Sequence, residues 1–149
     1  MAVKANHDIS SGLDTAFINS AINSNLAYRP EFVSNDYTQG KKVSVAIERE
    51  LRHCDAFYIS VAFITEGGLA PLKQVLAELR DKGIPGKILT TSYLTFTEPK
   101  ALKTLADLSN VEVRVYDSTD EGASGFHTKG YIFKEEEIYR FIVGSSNMT

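Results

Sequence analysis

The sequence predicts an α/β domain in which a mixed, mostly parallel sheet is flanked by helices and ends in an antiparallel hairpin. Three observations carry that expectation. Helical and strand periodicities alternate through the middle of the chain, the strand runs are rich in β-branched residues, and the last two runs, "GFHTKGYIFK" and "IYRFIVG", are separated only by "EEE". Alternating helix and strand is met most economically by right-handed crossovers and parallel pairing, whereas so short a connection forces an antiparallel pair. With 149 residues, 43% of them hydrophobic, the chain is long enough to bury its own core.

Taken in order, Leu13, Phe17, Ile18, Ala21 and Ile22 recur at helical spacing behind Ser10 and Ser11, which can cap, so a first helix is expected beside the main body. It and a connecting loop containing Pro30 make up residues 1–40, and the main domain spans 41–149. Over 41–53, Val43, Ile47 and Leu51 form one apolar stripe with the charged residues largely off it, an amphipathic helix. "DAFYISVAF" reads as a central strand buried under helices on both faces, with Tyr58 and Phe63 in the core. Thr65 then caps a helix carrying Leu69, Leu72, Val75, Leu76 and Leu79, which Gly83 stops. "GKILTTS" is the second strand, Thr97, Glu98 and Pro99 open the next helix with Ala101, Leu102, Leu105 and Leu108 facing inward, and "VEVRVY" is the third strand. The least regular stretches are 27–40 and 117–125.

Composition excludes some functions. A formal net charge of -3 argues against coating nucleic acid through bulk charge but leaves room for a local basic pocket. The single cysteine, Cys54, allows no intramolecular disulfide and no cysteine-based zinc cluster, which favours a reducing, cytoplasmic setting. No stretch approaches the roughly 18 apolar residues of a membrane span, and "MAVKANHDIS" lacks a signal-peptide core, so a soluble chain without a membrane partner is expected.

The chemistry gathers at the hairpin. If His127 and Lys129 lie in one strand, their side chains point the same way, roughly 7 Å apart. The returning strand brings Gly144, Ser145 and Asn147 to the same end, where glycine relaxes the backbone and a hydroxyl and an amide can donate to oxygen. One imidazole, one ammonium, one hydroxyl and one amide would converge on one anion. Thr91 and Ser92 close a parallel strand at its carboxyl end, where α/β sheets bind ligands, although turn formation accounts for them nearly as well. His53, at a helix end, reads as capping and packing.

"HTK" at His127 to Lys129 followed by "GSSN" at Gly144 to Asn147 resembles the phospholipase D superfamily, whose signature reads His-x-Lys, then usually Asp, then Gly-Ser-x-Asn. More narrowly, "AFITEGGL", "TSYLTFTEP" and the hairpin together look like the nuclease-like domain found ahead of DEAD-type helicase domains in bacterial restriction-like or repair-like proteins. The resemblance implies a phospholipase D-like fold and a phosphodiesterase acting on nucleic acid, DNA foremost, through a phosphohistidine, with no metal or cofactor. His127, Lys129, Ser145 and Asn147 would be catalytic, and Gly144, Thr91 and Ser92 would bind substrate.

Two departures shape that expectation. Lys134 stands where the family commonly carries Asp, and 14 residues separate Lys129 from Gly144. The family builds one site from two such motifs, and this chain carries one, so a homodimer sharing a site on its two-fold axis is expected, in a longer protein with a fused helicase. The carboxylate that orients the histidine in relatives lies beyond Asn147, and the chain ends at Thr149, so a truncated fragment is expected. The alternatives are a non-catalytic nucleic-acid-binding or dimerisation module of a helicase and, lower in rank, a lipid phosphodiesterase.

Overall fold

The computed structural model describes residues 31, 33–36, 38–117 and 126–149. The helix expected over 13–22 and nearly all of the loop expected over 117–125 lie outside them. The chain divides into two compact units, residues 1–41 and 42–149. In the first, Asp36 and Lys41 form an isolated antiparallel bridge, and the Asp36 carboxylate accepts from the Thr38 hydroxyl and the Thr38 and Gln39 amides. Those bonds, that from the hydroxyl foremost, hold its pKa below the usual carboxylate value.

In the second unit, Val43, Ile47 and Leu51 recur four apart and all are buried, which folds α1 (Val43–His53) against the rest of the unit. Each fully buried leucine of this kind contributes about 1.5–3 kcal/mol. His53 donates from Nδ1 to the Arg49 carbonyl over 2.8 Å, the terminal packing its position suggested. Glu50, expected off the stripe, is buried between Arg49 and Arg140, the latter reaching over from β5 (Ile138–Val143).

Cys54 follows α1, buried, its thiol donating to the Leu51 carbonyl over 3.3 Å. Burial pushes that thiol from 9.0 up to about 11. The native chain therefore keeps a proton that the unfolded chain loses, and stability falls as pH rises from about 9 towards 11. At pH 8 the native thiol is expected to alkylate at least about a hundredfold more slowly than in urea, measured by iodoacetamide incorporation.

β1 (Ala56–Val61) leads into the Thr65 cap, whose hydroxyl accepts from Gly68 N over 3.0 Å. The single helix expected here is instead three pieces, α2 (Glu66–Leu69), a 3-10 turn (Ala70–Leu72) and α3 (Lys73–Asp81). Pro71 is the cause, since it brings no amide to the helical ladder. All five expected apolar residues are still buried. Gly83, at φ 69, ends α3 as expected. β2 (Gly86–Thr91), α4 (Pro99–Ala106, proline at its start) and β3 (Val111–Tyr116) complete the crossovers, with β4 (Lys129–Glu135) and β5 forming the hairpin. Ala101 and Leu105 on α4 are buried, and Leu102 on α4 and Leu108 beyond its end are partly so.

The sheet order is β3-β2-β1-β4-β5. β3-β2 and β2-β1 are parallel, β1-β4 and β4-β5 antiparallel, so among the described strands the sheet is evenly mixed rather than mostly parallel. Within residues 42–149 the described crossover helices gather on one face. Both crossovers, β1 to β2 and β2 to β3, run in the same direction across the sheet, and right-handed connections of that kind put their helices on one face. That face buries Phe57, Ile59 and Val61 with Tyr131 and Phe133. The other face presents Tyr58, 39% exposed and not in the core, with Leu89, Phe141 and Val143 around a groove of about 440 Å³ floored by Ser60 and Gly130. Among the described residues no helix is long and apolar enough to cross a membrane.

Candidate functional site

His127 and Asn147 both reach Phe63, just past the carboxyl end of β1, by a route the strand alternation did not foresee. β4 begins at Lys129, paired with Val61, so His127 lies two residues before the strand rather than in it. The physical reason is competition for the backbone of β1's continuation. Phe63 N–H donates to Asn147 Oδ1 over 3.2 Å and Phe63 C=O accepts from Met148 N over 3.2 Å, so both main-chain groups of Phe63 are already taken. Met148 runs parallel to Ile64, and its carbonyl accepts from Thr65 N over 2.8 Å.

His127 meets Phe63 through its ring instead. The imidazole is exposed and packs edge-on to the Phe63 ring, 5.7 Å between centroids at 69°. Lys129 Nζ folds back to donate to the His127 carbonyl over 3.1 Å, while the Thr128 hydroxyl meets Ser60 Oγ at 2.6 Å. Because an amide N–H can only donate, the Phe63 bond fixes Asn147 with its oxygen inward, leaving its two N–H donors without a hydrogen-bond partner among the described residues. Phe63, expected as plain core, is thus the half-buried hub on which His127 and Asn147 meet.

The turn that carries Asn147 is held by further bonds. Gly144 N donates to the Lys129 carbonyl over 3.2 Å, and the Tyr131 hydroxyl donates to the Ser146 carbonyl over 2.9 Å. Burial pushes the Tyr131 phenol well above its usual pKa, so it stays a donor. Met148 is buried under the site, and Gly68 makes room for it. A Cβ on Gly68 would stand 2.0 Å from the Met148 carbonyl carbon and oxygen. Tyr131→Phe is expected to cost about 1 kcal/mol in urea unfolding and to loosen the Ser146 turn, seen as faster amide exchange at Met148.

The remaining expected residues divide. Gly144 and Ser145 are exposed at the same turn. Thr91 is fully buried and its hydroxyl accepts from Tyr93 N over 3.1 Å, so it shapes the next turn and presents nothing to a ligand. Ser92 donates from Oγ to Asp117 Oδ1 over 3.2 Å. Phe63, Gly68 and Tyr131 were not foreseen as site residues. The doubled glycine behind the Thr65 cap and the one phenol between Gly130 and Ile132 were the available signals. Among the described residues no carboxylate hydrogen-bonds the His127 ring, and the groups gathered with it are an ammonium and an amide. Compared with models of known families and with curated proteins, the chain matches none.

Proposed function

We propose that the chain is a phosphodiesterase of the phospholipase D kind that cleaves nucleic acid, with one His127 from each of two copies completing the site. The observation that carries this reading is that the His127 ring packs on Phe63, whose N–H holds Asn147, while Lys129 Nζ donates to the His127 carbonyl. A ring nitrogen of one His127 attacks phosphorus, forming a P–N bond as the P–O bond to the leaving group breaks. The His127 of the second copy, protonated, gives its proton to that oxygen. Water then attacks phosphorus, the second imidazole takes the water proton, and the P–N bond breaks to release the phosphate monoester and the first imidazole. Lys129 and the Asn147 amide donate to the non-bridging oxygens, each well-placed donor contributing about 3–4 kcal/mol to the transition state. The resemblance to helicase-linked domains makes a helicase the partner proposed for the full protein.

A second reading, a nucleic-acid-binding module without turnover, is favoured by the lack, among the described residues, of a carboxylate to orient the His127 ring. Incubation with labelled single- and double-stranded DNA in EDTA separates the two. Cleavage that persists under chelation, with an acid-labile phosphoryl adduct absent from His127→Ala, is expected. Binding with no cleavage would leave the module reading, and hydrolysis confined to phospholipid would overturn the nucleic-acid substrate.

A further inference from the structure

Phe96 is 56% exposed, and Tyr93 and Leu94 on the same turn are 41% and 57% exposed. Three large apolar side chains presented to water on one tight turn are not accounted for by packing. The backbone beneath them is strained as well, because Leu94 and Thr95 both take left-handed conformations, at φ 53 and 55, without being glycine, asparagine or aspartate. The turn is nonetheless held from several sides. Thr95 N donates to the Ser92 carbonyl, Tyr93 N to the Thr91 hydroxyl, and Ser92 N to the Tyr116 carbonyl. Strain that the surroundings hold in place concentrates where ligands are clamped.

The turn also connects with the site. The Phe96 ring packs edge-on to Phe63 at 5.1 Å and 77°, and Phe63 packs edge-on to His127 at 5.7 Å. Phe96 therefore stands two ring contacts from the imidazole, within reach of a base on the nucleotide whose phosphate His127 would hold, or on its neighbour. Phe126, adjacent to His127 in the chain, pairs with Tyr116 at the end of β3 at 5.9 Å, a further pair of aromatic rings beyond the carboxyl ends of the parallel strands. The chain's net charge of -3 supplies no general attraction for a polyanion. Stacking of bases on aromatic rings is the sequence-tolerant way to hold a strand under those conditions.

We propose that Phe96 is a nucleobase-stacking residue beside the phosphate site, so that this chain takes nucleic acid with bases free to unstack, a single strand rather than a duplex. The inference rests on the phosphodiesterase reading for its substrate class but is tested by binding, which does not need turnover. Fluorescence anisotropy compares a labelled oligothymidine with an abasic deoxyribose-phosphate oligomer of the same length and charge. The wild-type protein is expected to prefer the oligothymidine by about tenfold or more. Phe96→Ala removes that preference and leaves abasic affinity unchanged, whereas Phe96→Trp keeps it. Equal preference in wild type and Phe96→Ala overturns the inference, as does failure of the wild type to bind either oligomer. If Phe96→Ala weakens both oligomers alike and lowers the sedimentation coefficient, the residue serves contact between copies, which overturns it too. Binding as expected with no cleavage in EDTA defeats the catalytic reading alone.

Discussion

Gly68→Ala is expected to dislodge the segment carrying Asn147 while leaving the five-stranded sheet folded. The added methyl would lie 2.0 Å from the Met148 carbonyl and 2.3 Å from Thr149 N, atoms of main chain that no rotamer change can move aside. The segment must leave, and with it go the Phe63–Asn147 and Thr65–Met148 bonds and the burial of Met148. A loss of about 3–5 kcal/mol follows, together with loss of any activity that depends on Asn147. Urea unfolding measures the first, and amide exchange at Thr65 and Met148 locates it. Gly67→Ala is the control. Its methyl meets only Thr65 Oγ1, at 3.8 Å, so it is expected to be neutral or up to about 1 kcal/mol more stable. Equal stability of the two variants would contradict the close approach.

The second large effect concerns His127. Alone, His127→Ala is expected to lower turnover by at least about 10³-fold, because the imidazole is both nucleophile and proton donor in the proposed reaction. Mixing gives the sharper result. When mutant and wild-type chains exchange freely, only pairs of wild-type chains retain two imidazoles, so activity should follow the square of the wild-type fraction. An equal mixture would keep about a quarter of the activity. A linear fall to about one half would mean that each chain works alone. Circular dichroism of His127→Ala should match the wild type, since the ring is exposed and only its edge-on packing with Phe63 is lost.

The periodic parts of the fold were legible in the residues. Val43, Ile47 and Leu51, the Thr65 cap, Gly83 and Pro99 all do what their spacing and chemistry suggest, because each acts within a turn or two of itself. The hairpin was legible for the same reason, its connection being too short for anything else. The exposed face was not. Tyr58, Leu89 and Phe141 are apolar enough for a core, and what decides their exposure is the direction in which two crossovers step across the sheet, a property of topology rather than of any local run.

That the end of the hairpin brings the chain near His127 and the chain near Asn147 to one end of the sheet was legible, yet their arrangement was not. Periodicity carried the strand back through His127, but the chain near Met148 takes the backbone of Phe63 first, and no local pattern reports a competition between segments so far apart. Thr91 misled for a related reason. Its place at a strand end is where ligands bind, but its hydroxyl is consumed by the Tyr93 amide two residues on.

The bond from Phe63 to Asn147 spans 84 positions of chain, which has a consequence for the order of folding. Joining residues that far apart costs loop-closure entropy that no neighbouring contact returns in advance, so the crossovers and the hairpin must form before Asn147 can dock. Partly folded chains therefore hold the imidazole and the amide apart. Docking of Asn147 on Phe63 comes as one of the last events of folding, and in refolding from urea protection of the Phe63 amide should lag behind recovery of the far-ultraviolet signal.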